Sequence, residues 1–308
     1  MPQQIYKLFF RTPVHFGVDE GGSTLVESRM MFRCDTLFSA LYTALQPVGA
    51  EEALLQAVKD GRLRFSDAFP FCGERLFLPK PFGALSALEN TDEAEDPSHR
   101  KRMKRIAYIP LDRFRQYLAG KAGAASLGAD FGERFESTRV NCGGKEPLPY
   151  RVGGFRFAET CGLYVIAGAD ETALELFESG LDLLQATGVG GRISAGWGKF
   201  TWKKEPVETK LHDMLEDTNA KRQMLLATAC PAACEMAEAL TDASYMTVRR
   251  GGFTQSAATR PRRKRTMFAL DAGSTFTKRF SGDLVDVGVN MPHPVWRYGY
   301  GLFAGVEM

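Results

Sequence analysis

Residues 188–200, GVGGRISAGWGKF, combine five glycines with an arginine, a serine, a tryptophan and a lysine. Glycines at this density let the backbone adopt φ values that other residues avoid, and its N–H groups can then approach a polyanion closely. Arg192, Ser194 and Lys199 provide donors for phosphate, and Trp197 provides a ring on which a base can stack. The stretch therefore predicts a loop that holds nucleic acid. Its predicted contacting glycines are Gly188, Gly190, Gly191 and Gly196.

Two nucleotide-cofactor motifs are excluded in the same stretch. A P-loop requires a glycine where Ile193 stands and a Ser or Thr where Phe200 follows the lysine. The dinucleotide-binding fingerprint also fails at Ile193, so the sequence indicates no cofactor. A structural alternative stays open, in which the glycines only form a tight hairpin or bulge before a strand at 199–203.

Charge and composition limit where a nucleic acid can bind. The chain has 308 residues and a formal net charge of +2, so contacts with a polyanion must come from local clusters. Residues 99–105, HRKRMKR, and 260–265, RPRRKR, each contain five Lys or Arg and no acid. A run of this kind is more often a solvated face than a binding site, so neither cluster is assigned a function.

Cysteine usage and hydropathy indicate the compartment. Six cysteines are scattered along the chain, and 230 and 234 lack the further pair that a zinc site requires. The first residues do not have the layout of a signal peptide, and no apolar run has the length of a bilayer. We expect free thiols, no metal, no membrane partner and a cytoplasmic protein.

Local periodicity predicts the elements of the first half. Residues 5–11 are apolar and aromatic and predict a buried strand. Asp35 stands at the expected N-cap of a helix, a second helix is predicted at 51–59, and Asp170 is expected to cap a helix to about residue 186. Further strands are predicted at 63–65, at 71–78, at 199–203, and as a hairpin of 154–158 with 163–168.

This order of elements predicts an α+β protein of two ferredoxin-like domains, which resemble RNA-recognition-motif folds, with a glycine-rich loop. The first domain is placed at residues 1–205 and contains a long insertion at about 79–150, rich in proline, glycine and charge. A charged segment at 205–219 is expected to be a linker. The second domain, 206–308, is expected to be a diverged copy of the first.

Several blocks together resemble the RAMP superfamily of CRISPR proteins, and within it the fourth subunit of the type III-A Csm effector complex. They are LFFRTPVHFG and CDTLFSAL near the start, STRVN at 137–141, RRGGF at 249–253, AGSTF at 272–276 and HPVWRYGYGL at 293–302. These blocks span nearly the whole chain in the expected order. The resemblance implies ferredoxin-like domains and an antiviral RNA-guided complex.

The resemblance also implies a function and a set of binding residues. The subunit would hold the 5′ tag of the CRISPR RNA (crRNA) between the large cyclase subunit and the first backbone subunit, and would meet target RNA only indirectly. A single-stranded tag suits arginines and backbone N–H groups for its phosphates, with bases stacked or read at their edges. Beside the glycine loop, the implied tag-binding residues are Arg139, Asn141, Arg249, Arg250, Gly251 and Gly252.

The four histidines are the candidates for a catalytic residue if the chain also cleaves RNA. Some RAMP proteins cut RNA with a histidine as general acid or base, and His15, in the loop after the first strand, is the best placed of the four. His212–Asp213 mimics a metal-binding dipeptide, but the further histidines of such a site are absent. We expect no catalysis. Two alternatives stay open: an endoribonuclease that processes precursor crRNA with His15, and a subunit that contacts only protein.

Overall fold

The computed structural model describes residues 1–18, 25–83, 97–141, 146–254 and 261–308. The strands of the first half are β1 (Gln3–Phe10), β2 (Phe16–Gly17), β3 (Ser28–Arg29), β4 (Leu63–Phe65), β5 (Phe69–Cys72), β6 (Arg75–Pro79), β7 (Tyr108–Pro110), β8 (Gly132–Asn141), β9 (Leu148–Phe157), β10 (Cys161–Ala169) and β11 (Phe200–Pro206). Those of the second half are β12 (Arg222–Leu225), β13 (Thr247–Arg250), β14 (Met267–Leu270), β15 (Thr275–Phe276), β16 (Gly282–Asp286), β17 (Trp296–Tyr300) and β18 (Phe303–Val306). The α-helices are α1 (Cys34–Leu45), α2 (Glu51–Lys59), α3 (Pro97–Arg105), α4 (Phe114–Leu118), α5 (Ala124–Leu127), α6 (Glu171–Thr187), α7 (Thr209–Glu216) and α8 (Met236–Ala239).

A central antiparallel sheet organises the molecule. Its strand order is β11-β1-β10-β5-β6-β7, and β4 also pairs with β10. Both faces of β10 are buried, because Leu163 and Val165 enter one apolar cluster while Tyr164 and Ile166 enter another. The first cluster is covered by α1 and α6, and the second by α4, α7, β12 and β18. The chain is thus α+β with antiparallel sheets.

The predicted helices form, but one predicted cap is wrong. Helix α2 has the predicted bounds, and Asp170 caps α6 by accepting a hydrogen bond from the Ala173 N–H at 2.8 Å. Helix α1 instead begins at Cys34, with Arg33 at the N-cap and no side-chain cap. Asp35 lies inside the first turn, buried, where it binds two arginines of the second half.

Two strand predictions are also wrong. The segment 71–78 is a hairpin of β5 and β6 rather than one strand, because Gly73 turns the chain at φ 62°. Strand β9 pairs with β8 in a ten-residue ribbon and not with β10. Strand β10 is apolar on both sides and fits a two-sided core, whereas the outer end of β9 is exposed. The β8–β9 ribbon begins inside the predicted insertion and continues past its end, and residues 84–96 and 142–145 of that insertion lie outside the described part.

The second half packs against the first instead of following a free linker. Residues 209–216 of the predicted linker form α7, whose Leu211 and Leu215 are buried. Tyr298 of β17 stacks on Phe65 of β4 with ring centroids 4.4 Å apart, inside the core that α1 and α6 cover. The second half itself contains a three-stranded sheet, β15-β12-β18, and the two ribbons β13–β14 and β16–β17. Because side chains of both halves pack in one core, the two halves hold a fixed position against each other, and a cleft lies between them.

The sequence predicts free thiols and no membrane-spanning segment, and both predictions can be compared with the described residues. Five described cysteines are unbridged thiols, and Cys142 lies outside the described residues. No helix in the described ranges has the length and apolarity to cross a membrane.

Candidate nucleic-acid interface

The glycine loop, residues 188–199, is held against the segment that follows β1. Gly188, Gly190, Gly196 and Gly198 all have positive φ, between 78° and 99°. The Gly191 N–H donates to the His15 carbonyl and the Gly198 N–H to the Pro13 carbonyl, each at 2.8 Å. These two N–H groups therefore bind the protein itself and not a ligand. The structure supports the packing role for most of the loop, while Gly196 has open space where a Cβ would point.

Trp197 is a buried anchor in this structure and not an open stacking surface. Its side chain is only 6% exposed and lies 5.5 Å from the Phe135 ring of β8, centroid to centroid. The Arg139 guanidinium covers it at 5.6 Å from the ring centroid. The predicted stacking of a base on Trp197 is not supported by this geometry, because neighbouring side chains already occupy the ring. Two predicted residues, Arg139 and Trp197, are thereby brought together by packing.

A small cavity joins the glycine loop to the end of the β8–β9 ribbon. Arg192, held at φ 65°, lies over the Tyr150 ring at 5.2 Å and donates to the Tyr150 hydroxyl at 3.4 Å. Together with Asn141 at the end of β8, these residues line a cavity of about 500 Å³. We call this cavity the ribbon niche. The niche brings the predicted residues Asn141 and Arg192 together. It also contains Tyr150, which was not predicted from the sequence. The signal that could have found it is its position directly before the RVGGF segment.

A larger cleft of about 1280 Å³ lies between the two halves. Gly190 and Gly191 line it from the first half, beside His15 and α1, and residues 249–252 line it from the second. We call this cavity the inter-half cleft. Two sequence blocks that lie some sixty residues apart therefore face the same space, and the glycine loop contributes to both the niche and the cleft. Ser194 and Lys199 are exposed on the loop and line neither cavity.

Arg250 is a structural ion-pair residue and not an exposed RNA ligand. Its guanidinium binds the Asp35 carboxylate with two hydrogen bonds, Nε to Oδ2 at 2.8 Å and Nη2 to Oδ1 at 2.7 Å. Arg297 also binds Asp35 and donates from Nη2 to the Gly251 carbonyl at 2.7 Å. Because Asp35 and both arginines are buried, these contacts join the second half to the first turn of α1. The prediction that Arg250 contacts RNA is not supported by this arrangement.

A second set of charged residues extends this junction. Arg33 binds Asp271 and Thr228 of the second half. The Asp67 carboxylate, fully buried, accepts hydrogen bonds from the N–H groups of Cys34 and Thr228, each at 2.8 Å. Three arginines and three aspartates thus meet at this junction, and each makes an ion pair or hydrogen bonds, as buried polar and charged groups require. The floor of the cleft is an ionic junction that sequence reasoning did not foresee.

Two cations of the cleft are available to a ligand. Arg249 is partly exposed, and within the described ranges it has no ion-pair partner. Burial, together with the nearby guanidinium of Arg297, lowers the pKa of the Lys264 ammonium to about 8, although the Asp35 carboxylate acts in the opposite direction. Gly252 is exposed at φ 106° with open space around it, so the backbone there is accessible. Arg249, Gly252 and Lys264 form the accessible polar wall of the cleft.

His15 anchors the loop rather than standing free. Its ring is buried, and Nδ1 donates to the Gly153 carbonyl at 2.8 Å, since a carbonyl can only accept. Its own backbone carbonyl accepts from Gly191. No cluster of three or more His, Cys, Asp or Glu suited to a metal ion is found among the described residues. The ring is oriented by packing and lies at the border of the cleft.

Comparison with known proteins identifies the family. A family model described as the CRISPR Csm4 C-terminal domain matches residues 218–306. The CRISPR system Cms protein Csm4 of Streptococcus thermophilus is 32% identical over 311 residues, which cover 98% of this chain and 99% of the relative. The protein of the same name from Mycobacterium tuberculosis is 32% identical over 297 residues, covering 94% and 93%.

Solved structures share the fold. A chain of the Csm3-Csm4 subcomplex in the type III-A CRISPR-Cas interference complex is similar with TM-score 0.66, at 16% identity and full coverage of both chains. A chain of the Csm1-Csm4 cassette in complex with AMPPNP is similar with TM-score 0.64, at 21% identity, covering 100% of this chain and 99% of that one. The resemblance drawn from the sequence blocks is confirmed. The chain belongs to the Csm4 family, whose members are RAMP proteins of type III-A CRISPR systems.

Proposed function

We propose that the chain is a non-catalytic RNA-binding subunit of a cytoplasmic type III-A CRISPR effector complex, which holds the 5′ tag of the crRNA in the inter-half cleft. One observation carries this proposal: Gly190 and Gly191 face the same cleft as Arg249 and Gly252. The accessible backbone at Gly252, together with the cations Arg249 and Lys264, suits a single-stranded polyanion. Target RNA would be met only through the other subunits.

The proposed partners follow from the similar solved structures. Those structures contain a Csm4 chain with Csm1 in one case and with Csm3 in the other. We therefore propose that this chain bridges a large subunit and a backbone subunit.

The strand order β11-β1-β10-β4 with α1 and α6 on one face also supports a ferredoxin-like unit in the first half. The second half, with its three-stranded sheet, is proposed as a diverged second unit.

The nuclease alternative is less favoured by the site. A general acid or base needs a ring free to reach its substrate, and His15 already has one nitrogen bonded to Gly153 and its ring buried beside the glycine loop. We expect neither the wild type nor His15→Ala to cleave RNA, because the substitution only weakens the packing of the loop. Incubation of the purified chain with a repeat hairpin checks this, and cleavage that His15→Ala removes would establish the nuclease.

Removal of one phosphate contact tests the tag-binding proposal. We expect Arg249→Gln to weaken binding of an RNA that carries the repeat-derived 5′ tag and to reduce the slope of log affinity against log salt by about 0.7. The matched control is Arg115→Gln, an exposed arginine of α4 outside the cleft, which should leave both quantities unchanged. Anisotropy titrations at several salt concentrations give the slopes. Equal behaviour of the two variants would contradict a phosphate contact at Arg249.

The pH dependence of binding tests the role of Lys264. Since its pKa is lowered to about 8, the ammonium that a phosphate requires is present below that pH and is lost as the pH rises through it. We expect tag affinity to be constant from about pH 6 to 7 and to fall severalfold by about pH 9. Lys264→Arg, which keeps its charge throughout, should remove this fall. An identical pH profile for both proteins would exclude Lys264 from the contact.

A further inference from the structure

The second basic cluster lies beside the RRGGF block in space. Strand β13 pairs with β14, and beyond their ends Phe253 forms a bridge with Arg263 while the Lys264 N–H donates to the Gly252 carbonyl at 2.9 Å. Residues 247–254 and 261–270 therefore form one antiparallel ribbon, which we call the basic ribbon. The intervening residues 255–260 lie outside the described part. Arg249, Gly252, Phe253, Lys264 and Phe268 of this ribbon line the inter-half cleft.

Two phenylalanines of the basic ribbon are exposed. Phe253 is 66% exposed and Phe268 is 64% exposed, in a chain that buries most of its aromatic rings. No ring or cation lies against either phenylalanine within the described residues, in contrast to Trp197 beneath Arg139. Two large apolar rings exposed on one ribbon beside the cleft form a surface that a ligand or partner can cover.

Each exposed ring stands directly opposite an arginine. Phe268 is paired with Arg249 across β13 and β14, and Phe253 is paired with Arg263 across the bridge. Residues opposite each other in an antiparallel pair have Cβ atoms about 5 Å apart and project to the same face. The ribbon thus has a phenylalanine paired with an arginine at two successive places, and neither ring is covered by its arginine. This combination matches the repeating unit of a single-stranded nucleic acid, a base beside a phosphate.

The charge of the ribbon favours RNA over a protein as its occupant. The described residues of the ribbon include six Lys or Arg and no Asp or Glu. Arg262 and Arg265 are occupied by the carbonyls of Asn290 and Asp286, and Arg250 by Asp35, which leaves Arg249, Arg263 and Lys264 for a ligand. A surface with these cations and no acid attracts a polyanion, which gains from every cation that it meets.

We propose that the basic ribbon binds single-stranded RNA by stacking bases on Phe253 and Phe268 while Arg249, Arg263 and Lys264 contact the adjoining phosphates. The inference rests on the proposed function and assigns the stacking surfaces that Trp197 does not provide. Because every base has a ring face, these two residues supply affinity without demanding a particular sequence. Sequence preference for the tag must then arise elsewhere, and we assign it to the ribbon niche, which Arg192 and Asn141 line.

Alanine variants of the two phenylalanines test the proposal on the full chain. We expect Phe253→Ala and Phe268→Ala each to weaken binding of the tag RNA, and of an oligouridine of equal length, by about fivefold to a hundredfold. The slope of log affinity against log salt should stay unchanged, because no phosphate contact is lost. Val48→Ala, an exposed apolar residue after α1, is the matched control and should bind as the wild type does.

An abasic RNA separates stacking from a general change of the surface. An RNA of the same length with abasic sites keeps its phosphates, so Phe253→Ala and Phe268→Ala should bind it as well as the wild type does. Arg249→Gln should still weaken binding to it. Phe268→Trp, in contrast to Phe268→Ala, should bind the natural RNA as tightly as the wild type does, and the fluorescence of the new tryptophan should be quenched on binding. Loss of affinity by the alanine variants on both RNAs would overturn the stacking proposal.

The same titrations distinguish this inference from the proposed function. If the wild type binds the tag and Arg249→Gln weakens it while both phenylalanine variants bind normally, the stacking inference fails and tag binding stands. If wild type and every variant fail to bind RNA, the proposed function fails with it. Normal RNA binding together with lost co-purification of a Csm1 or Csm3 partner in the phenylalanine variants would assign the rings to a protein interface instead.

Discussion

Asp35→Asn is expected to lower the free energy of unfolding by about 3–5 kcal/mol, because it leaves two buried arginines without their counter-charge. The Asp35 side chain is 2% exposed, and those of Arg250 and Arg297 are 10% and 7% exposed. Water cannot solvate the two guanidinium groups where they stand, so either the charges stay uncompensated or the halves separate. The substitution keeps the shape of the side chain, removes its charge and replaces one acceptor oxygen by an NH2 group that cannot accept from an arginine.

Urea unfolding, followed by fluorescence, measures this effect. The matched control is Arg62→Ala, which breaks ion pairs with Asp60 and Asp170 whose side chains are about 40% exposed. Exposed pairs of this kind contribute about 0–1 kcal/mol, so the control should differ little from the wild type. A loss no larger for Asp35→Asn than for Arg62→Ala would show that the ionic junction does not hold the halves together. A broadened or two-step transition would show that the halves separate before they unfold.

Gly198→Ala is expected to destabilise the protein by about 3 kcal/mol or more. Gly198 has φ 78°, and a Cβ there would stand 2.2 Å from the Val189 carbonyl oxygen, a contact that the backbone must relieve by moving. The left-handed conformation alone costs an alanine about 1–2 kcal/mol, and the clash adds to it. Gly196→Ala is the matched control. It has nearly the same φ, 82°, and no atom within 4 Å of the added Cβ, so only the first cost applies.

These two variants also test how the loop serves RNA binding. A shift at Gly198 breaks its hydrogen bond to the Pro13 carbonyl and displaces the neighbouring loop residues. We expect Gly198→Ala to weaken tag binding as well as stability, and Gly196→Ala to leave tag affinity within about twofold of the wild type. Thermal unfolding and RNA titration on the same preparations provide both readouts. Equal stability losses would contradict the close contact, and weaker RNA binding by Gly196→Ala alone would show that its open backbone meets the RNA.

Local pattern was sufficient for part of the fold. Helices α1, α2 and α6 and strands β1 and β11 lie within two residues of their predicted positions at most ends, because apolar periodicity and an N-cap such as Asp170 act over a few neighbouring residues. The sequence blocks, taken together and in order, also indicated the correct family. For the site, the same reasoning singled out the glycine loop and the RRGG block, which the structure brings to one cleft, and RNA binding there stays a prediction.

The amino-acid sequence alone thus determined the main helices, strands β1 and β11 of the first unit, the family and the segments that line the cleft. Only the tertiary structure decided how individual side chains within those segments are used. Asp35 and Arg250 are withdrawn into an ionic junction, Trp197 is buried beneath Arg139, and Phe253 is left exposed beside Arg263. The physical reason is that burial and ion pairing depend on partners distant in the chain, whereas helix and strand periodicity depends on neighbours a few residues away.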